Sequence, residues 1–231
     1  MPRRAPEDFD SNIAEASSAL AGGAFAKQKI NDANVAELYA TTRSLFRALL
    51  RRDGFREEAV RALLTKFNDA GPRSAPWRPV SSKVPGRPQD GKDGNRINRW
   101  ELPSGHKFYA TRVDGTLVAV KYIFQALSMT GAPRAPSQVA RAFSWLVGHE
   151  VAPGAFLDPI RRSEVRLKAV AEDPRLVTSG HLVPLDRGGR HTPSNTSLML
   201  KTSNDLQGNN TFEELILLCE EIVRRHRSRP E

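Results

Sequence analysis

Four polar side chains crowd into residues 179–210, SGHLVPLDRGGRHTPSNTSLMLKTSNDLQGNN: His181, His191, Asn195 and Asn204. A histidine titrates near neutrality and suits proton transfer in water. An amide oxygen is a hard donor that suits Mg²⁺ better than Zn²⁺. Hydrolysis of a phosphodiester needs an attacking water, a base to deprotonate it and positive charge at the phosphate. The span holds residue types for each task.

The same span predicts the local structure that would position them. Leu176-Val177 and Leu182-Val183 read as strand, ended by Pro184. Asp186 to Gly189 reads as a turn with the backbone freedom of paired glycines. Thr196 to Leu200 (TSLML) reads as a second strand, followed by a short helix capped by Thr202 or Ser203 and ended by Gly208. A strand–strand–helix unit of this size needs support from the rest of the chain.

The ordered residues Gly180-His181, Pro184, Gly188-Gly189, His191, Asn195 and Asn204 through Gly208 resemble the HNH endonucleases of the ββα-metal class. The resemblance runs from about residue 156 to 222. It implies a metal-dependent endonuclease acting on double-stranded DNA, with His181 as the general base that activates water. It implies that Asn195 braces the loop and orients the base, and that Asn204 ligates a divalent ion, Mg²⁺ or similar. Family members often carry an acidic metal ligand directly before the base. Here that position is Gly180, and Asp186, Asp205 and Glu164 are the carboxylates that would replace it. Arg187, Arg190, His191 and Lys201 are candidates to grip DNA. A site-specific restriction enzyme, working as a homodimer, is the favoured subtype. A homing, phage-type or nonspecific HNH nuclease, a non-catalytic DNA-binding protein with a degenerate HNH fold, and an RNA nuclease are the alternatives.

Bulk properties agree with a polyanionic partner. The net charge is +9 over 231 residues, with a pI of about 10.1. Nucleic acid is the usual partner of so basic a chain, although a generally basic surface gives the same balance. The single cysteine, Cys219, excludes an internal disulfide and a Cys-based zinc knuckle. It reads as a small core residue between Leu218 and Ile222. No apolar run approaches the ~18 residues of a membrane span, and no signal-peptide segment is read at the N-terminus. A reducing cytoplasmic setting fits.

Upstream, residues 1–30 read as a poorly ordered segment with a loose helix near 13–20. Residues 31–150 form the expected helical and hairpin DNA-recognition region. Asn34 and Glu37 predict a capping box ahead of a helix bearing Leu38, Leu45, Phe46 and Leu49. A second helix is expected from about Arg56 to Ala70. Residues 72–106 hold six prolines, four glycines and seven basic residues against three acidic ones, with Trp77 and Trp100 between them. That composition suits phosphate contact and base stacking, or a loop whose tryptophans dock on the core. Asp114-Gly115 predicts a turn between strands at 107–112 and 116–122, the second arm alternatively starting a helix. Ser137 is expected to cap a helix to about Val147, and 151–154 is a candidate hinge. The nuclease domain then occupies 151–231. Asp158-Pro159 opens a segment to about Glu172, and a Thr211/Glu214 capping box starts a last helix with Leu215, Leu218, Cys219 and Ile222 inward. The expected class is α+β, a ββα-metal unit embedded in a mainly helical protein with a small β-hairpin region.

Overall fold

The structure is a computed structural model that describes residues 8–74 and 97–228. Trp77 and most of the basic loop lie outside the described residues. Among the described residues, eight α-helices and four short strands follow in order: α1 (Phe9–Ala21), α2 (Val35–Arg52), α3 (Glu57–Ala70), β1 (Arg73–Ser74), β2 (Ile97–Asn98), α4 (Arg112–Leu127), α5 (Ser137–Val147), α6 (Leu167–Glu172), β3 (Val177–His181), β4 (Thr196–Leu200), α7 (Lys201–Gln207) and α8 (Phe212–Arg227). The class is α+β. No described helix is long and apolar enough to cross a membrane.

Helix α4 is the axle of the molecule. Every residue from Gly115 to Leu127 is buried, as expected of a helix apolar on nearly all sides. It packs against α2, α3, α5 and β4. Phe124 stacks on Phe143 of α5 at 4.8 Å. Phe67 of α3 bridges Phe46 of α2 and Tyr122 of α4, with ring centroids 6.1 and 6.3 Å apart.

The hairpin expected over 107–122 is replaced by the start of this helix. Thr111 caps it, its hydroxyl accepting from the Asp114 amide at 3.0 Å. Asp-Gly therefore sits in a first helical turn, where the cap and the long apolar run outweigh the turn signal. Pro72 and Trp100 pack beside Gly115, so Trp100 docks against α4.

Other upstream expectations also change. Helix α1 is not loose: Asp8 caps it at Ser11, and Ile13, Ala16 and Leu20 enter the core. Asn34 makes no capping bond to α2; its amide instead donates to the carbonyl of Lys29 and ties down the preceding turn. Helix α5 starts at Ser137 rather than being capped by it. After Asp158 the chain makes a single turn, the Asp158 carboxylate accepting from the amides of Ile160 and Arg161; Arg162 at φ 55° then leaves the helical path, and Leu157 bridges Glu164 before α6 begins. The core does not divide near residue 150. Val151, Phe156, Val165, Val177 and Leu198 belong to the same apolar cluster as the upstream helices.

Antiparallel β3 and β4 pair from Val177↔Leu200 to His181↔Thr196, and α7 follows at once. The free edge of β4 is covered by side chains rather than by a third strand. Lys121 Nζ donates to the Thr196 carbonyl at 2.7 Å, the Leu198 amide donates to Gln125 at 2.9 Å, and the Leu200 amide donates to Asp158 at 2.7 Å. These positions alternate, as an antiparallel edge requires.

Helix α3 ends at Gly71, where a Cβ would sit 2.8 Å from Ala119 Cβ and from the Gly115 carbonyl oxygen. Gly71→Ala should therefore wedge α3 from α4 and cost about 1–3 kcal/mol, the usual scale of overpacking. Urea denaturation of the variant measures this.

Candidate functional site

His181 ends β3, and Asn204 lies on α7. Both line a cavity of about 240 Å³ with Lys107, Pro184, Asp186 and Asn209. The strand–strand–helix order brings them together across 23 residues of sequence. Gln207 locks this arrangement: its amide nitrogen donates to the carbonyls of His181 and Leu182 at 3.0 and 3.1 Å.

A second histidine sits behind the first. His181 Nε2 lies 3.1 Å from His191 Nδ1, and His191 Nε2 lies 3.0 Å from the carbonyl oxygen of Gly71. A carbonyl only accepts, so His191 carries its proton on Nε2. Its Nδ1 is then an acceptor, and His181 must donate from Nε2. This leaves the His181 lone pair on Nδ1. The tautomer of His181 thus follows from a backbone carbonyl 110 residues earlier in the chain.

The pair is held neutral. Burial and the Arg99 guanidinium push His181 from the usual 6.5 down to about 4. Burial, Arg99 and His181 together hold His191 well below 6.5. Arg99 is itself buried, donating Nε to the Gly71 carbonyl at 2.9 Å and Nη1 to that of Phe108 at 3.2 Å. Burial lowers it to about 10, so it remains charged at neutral pH.

Asn195 staples the loop between the strands. Its oxygen accepts from the Val183 amide at 2.8 Å, and its nitrogen donates to the carbonyls of Val183 and Arg190, both at 2.9 Å. Gly189 is required beneath it, since a Cβ there would run into the Val183 carbonyl and the Asn195 amide.

Gly180 has a packing reason. It is buried, and a Cβ would collide with Sδ and Cε of Met199. An acidic ligand therefore has no space at this position while Met199 stays in place. Of the three substitute carboxylates, only Asp186 lines the cavity, paired with Lys107 at 2.6 Å. Asp205 pairs with Lys201, and Glu164 accepts from Thr130. Among the described residues no group of three or more His, Cys, Asp or Glu side chains is placed to hold a metal. The oxygens of Asn204 and Asp186 fit a hard ion that keeps most of its waters.

The expected DNA contacts separate. His191 is fully buried, so its expected place at a DNA backbone is corrected: it is a partner of His181. Arg187 is exposed and paired with Glu214 at 2.6 Å. Arg190 and Lys201 are exposed. A larger groove of about 680 Å³ runs beside β3, lined by Arg61, Lys66, Arg73, Arg99 and Arg175 with Thr178 and Ser179. Sequence reasoning passed over Arg99, Lys121 and Tyr122. Arg99 was one basic residue among seven in its loop. Lys121 and Tyr122 were assigned to a strand, whereas Tyr122 hydrogen-bonds Ser179 from α4.

No protein-family model matches the chain, and no curated protein matches it. Among solved structures, a type II restriction endonuclease aligns with a TM-score of 0.45 and 22% identity, over 57% of this chain and 62% of that chain.

Protonation of either histidine opposes the fold. The unfolded chain binds protons from pH about 6.5 downward, whereas folded His181 does so only near 4. Stability attributable to the pair should therefore be complete above pH 6.5 and fall as pH drops toward 4. Thermal melts across this window should show wild type losing more stability than His181→Gln.

Proposed function

We propose that this protein is a metal-dependent endonuclease that hydrolyses phosphodiester bonds in double-stranded DNA, site-specifically in the manner of HNH-type restriction enzymes. The observation that carries the reading is that His181, its Nε2 engaged by His191, lines one cavity with the oxygen donors Asn204 and Asp186.

In this reading water bound at the cavity gives a proton to His181 Nδ1. The resulting hydroxide attacks phosphorus, and the P–O bond to the leaving sugar oxygen breaks. His191 is a positioning residue: it holds the imidazole plane and fixes which nitrogen is free. A Mg²⁺-class ion held by Asn204, Asp186 and substrate would supply positive charge at the phosphate. The negative phosphate also raises the proton affinity of His181 above its value in the free protein. Asn195 keeps the β3–β4 loop closed around the base. The net charge of +9 supports a DNA partner, and Arg187, Arg190 and Lys201 are the proposed backbone contacts beside the cavity.

Met199 filling the space beside Gly180 favours a second reading, a DNA-binding protein that has lost cleavage. Incubation with supercoiled plasmid and Mg²⁺, with and without chelator, separates the two. The nuclease reading predicts metal-dependent cutting that His181→Ala lowers by about 10²–10⁴-fold. It also predicts a loss in His191→Ala that exceeds the loss in His191→Gln, which keeps an acceptor near His181. Gel shift without cutting by the wild type would establish the second reading. Discrete bands mark site-specific cleavage, and a smear marks a nonspecific enzyme.

A further inference from the structure

The groove between α3 and β3 holds a charge that the chain itself does not answer. Arg99 is 7% exposed and lines this groove of about 680 Å³. Its Nε and Nη1 reach the carbonyls of Gly71 and Phe108. Among the described residues no group bonds Nη2, and no carboxylate pairs with the guanidinium. Carbonyl dipoles satisfy donors but leave the net charge in place. Buried charges in folded proteins are ordinarily matched by an opposite charge. An unmatched one in the wall of an open groove points to an anionic ligand.

The rest of the lining fits a phosphate. Arg61, Lys66, Arg73 and Arg175 line the same groove, against Glu58 and Asp69. Two of these cations are engaged within the chain: Arg73 with Asp69 at 3.3 Å, and Arg175 with Asp173 at 2.9 Å. Both pairs lie at the surface, where an ion pair is weak and yields to a stronger anion. The choice of ligand therefore rests on Arg99 and on exposed Arg61. A planar guanidinium with an open N–H edge suits a phosphate oxygen, and the hydroxyls of Thr65 and Thr178 add neutral donors to the lining. Arg61 and Lys66 lie on α3, roughly 7.5 Å apart along its axis. A row of cations of this length suits successive phosphates of one strand better than one small anion. We infer that this groove is a phosphate-binding subsite for a DNA strand, with Arg99 as its buried anchor and Arg61 on its α3 wall.

The subsite is separate from the contacts proposed beside the hydrolytic cavity. Arg187 and Arg190 belong to the β3–β4 loop and Lys201 to α7, whereas α3 walls the groove. The two regions meet on β3, where Ser179 lines the groove and His181 the cavity. These two residues share one face of the strand and lie about 7 Å apart, so a DNA strand running along β3 reaches both. Arg99 and His191 also share the Gly71 carbonyl, so the anchor of the groove and the histidine pair hang from one backbone atom. The inference rests on the DNA partner of the proposed function and not on cleavage, and its binding tests are run in chelator.

Fluorescence anisotropy of a short labelled duplex, followed against salt concentration, reads the contacts in the full chain. Arg61→Ala and Arg175→Ala, both at exposed positions, should each lower the slope of log affinity against log salt by about one. Thr65→Glu, exposed on α3 and introducing a good helix former, sets a carboxylate in the groove and should weaken binding at least about tenfold. Inorganic phosphate should move the Arg99 Nε–Hε NMR resonance of the wild type and leave that of Thr65→Glu in place, and the duplex should displace the phosphate. Unchanged slopes in Arg61→Ala and Arg175→Ala, with a lowered slope in Arg187→Ala and Arg190→Ala, would overturn the subsite and leave the nuclease reading standing. Phosphate that moves Arg99 and is not displaced by duplex would overturn DNA as its ligand. The expected slope changes in a protein that does not cut plasmid would support the subsite and overturn cleavage alone.

Discussion

The carbonyl oxygen of Gly71 accepts from Arg99 Nε at 2.9 Å and from His191 Nε2 at 3.0 Å. These two bonds set the site's chemistry together. The first fixes a buried positive charge beside the histidines, and the second dictates their proton positions. A buried guanidinium with charge-assisted bonds to two carbonyls is stable where an unpaired one would not be. Burial, reinforced by its field, holds both imidazoles below the usual histidine range. Gly71 ends α3 and rests on α4, so the anchor is only as rigid as that helix contact.

Helix α4 is the second constraint. It presents Lys121, Tyr122 and Gln125 from an otherwise apolar surface, each to a partner in the β3–β4 unit. Burial lowers the Lys121 ammonium to about 8, yet its two carbonyl acceptors, those of Pro193 and Thr196, satisfy it. A two-stranded sheet is marginal alone. Here the central helix replaces the missing third strand, bond by bond. This explains why the short strand–strand–helix unit needs the upstream bundle and why the core runs through residue 150 without a break.

Much of the local structure was legible in sequence. The TSLML strand and the helices over Val35–Arg52 and Glu57–Ala70 follow from apolar patterning and breakers, and the start of α8 from its Thr211/Glu214 capping box. The cavity pairing of His181 with Asn204 follows from strand–strand–helix order. Long-range polar bonds were not legible, because nothing local in Arg99 or His191 announces that each turns inward to one distant carbonyl. The Asp-Gly turn signal at 114–115 misled because a threonine cap three residues earlier competes for the same backbone. Of the stripe expected to face inward on α8, Leu215 is buried, while Leu218, Cys219 and Ile222 are exposed. Periodicity reports which face is apolar, not what lies against it.

The central claim is that a backbone carbonyl sets the protonation pattern of His181 through His191. Long-range nitrogen–proton NMR on histidine-labelled protein tests it most directly. At neutral pH the account predicts that His181 and His191 are both neutral, each protonated on Nε2 and bare on Nδ1. His181 protonated on Nδ1, or an imidazolium at either position, would contradict it.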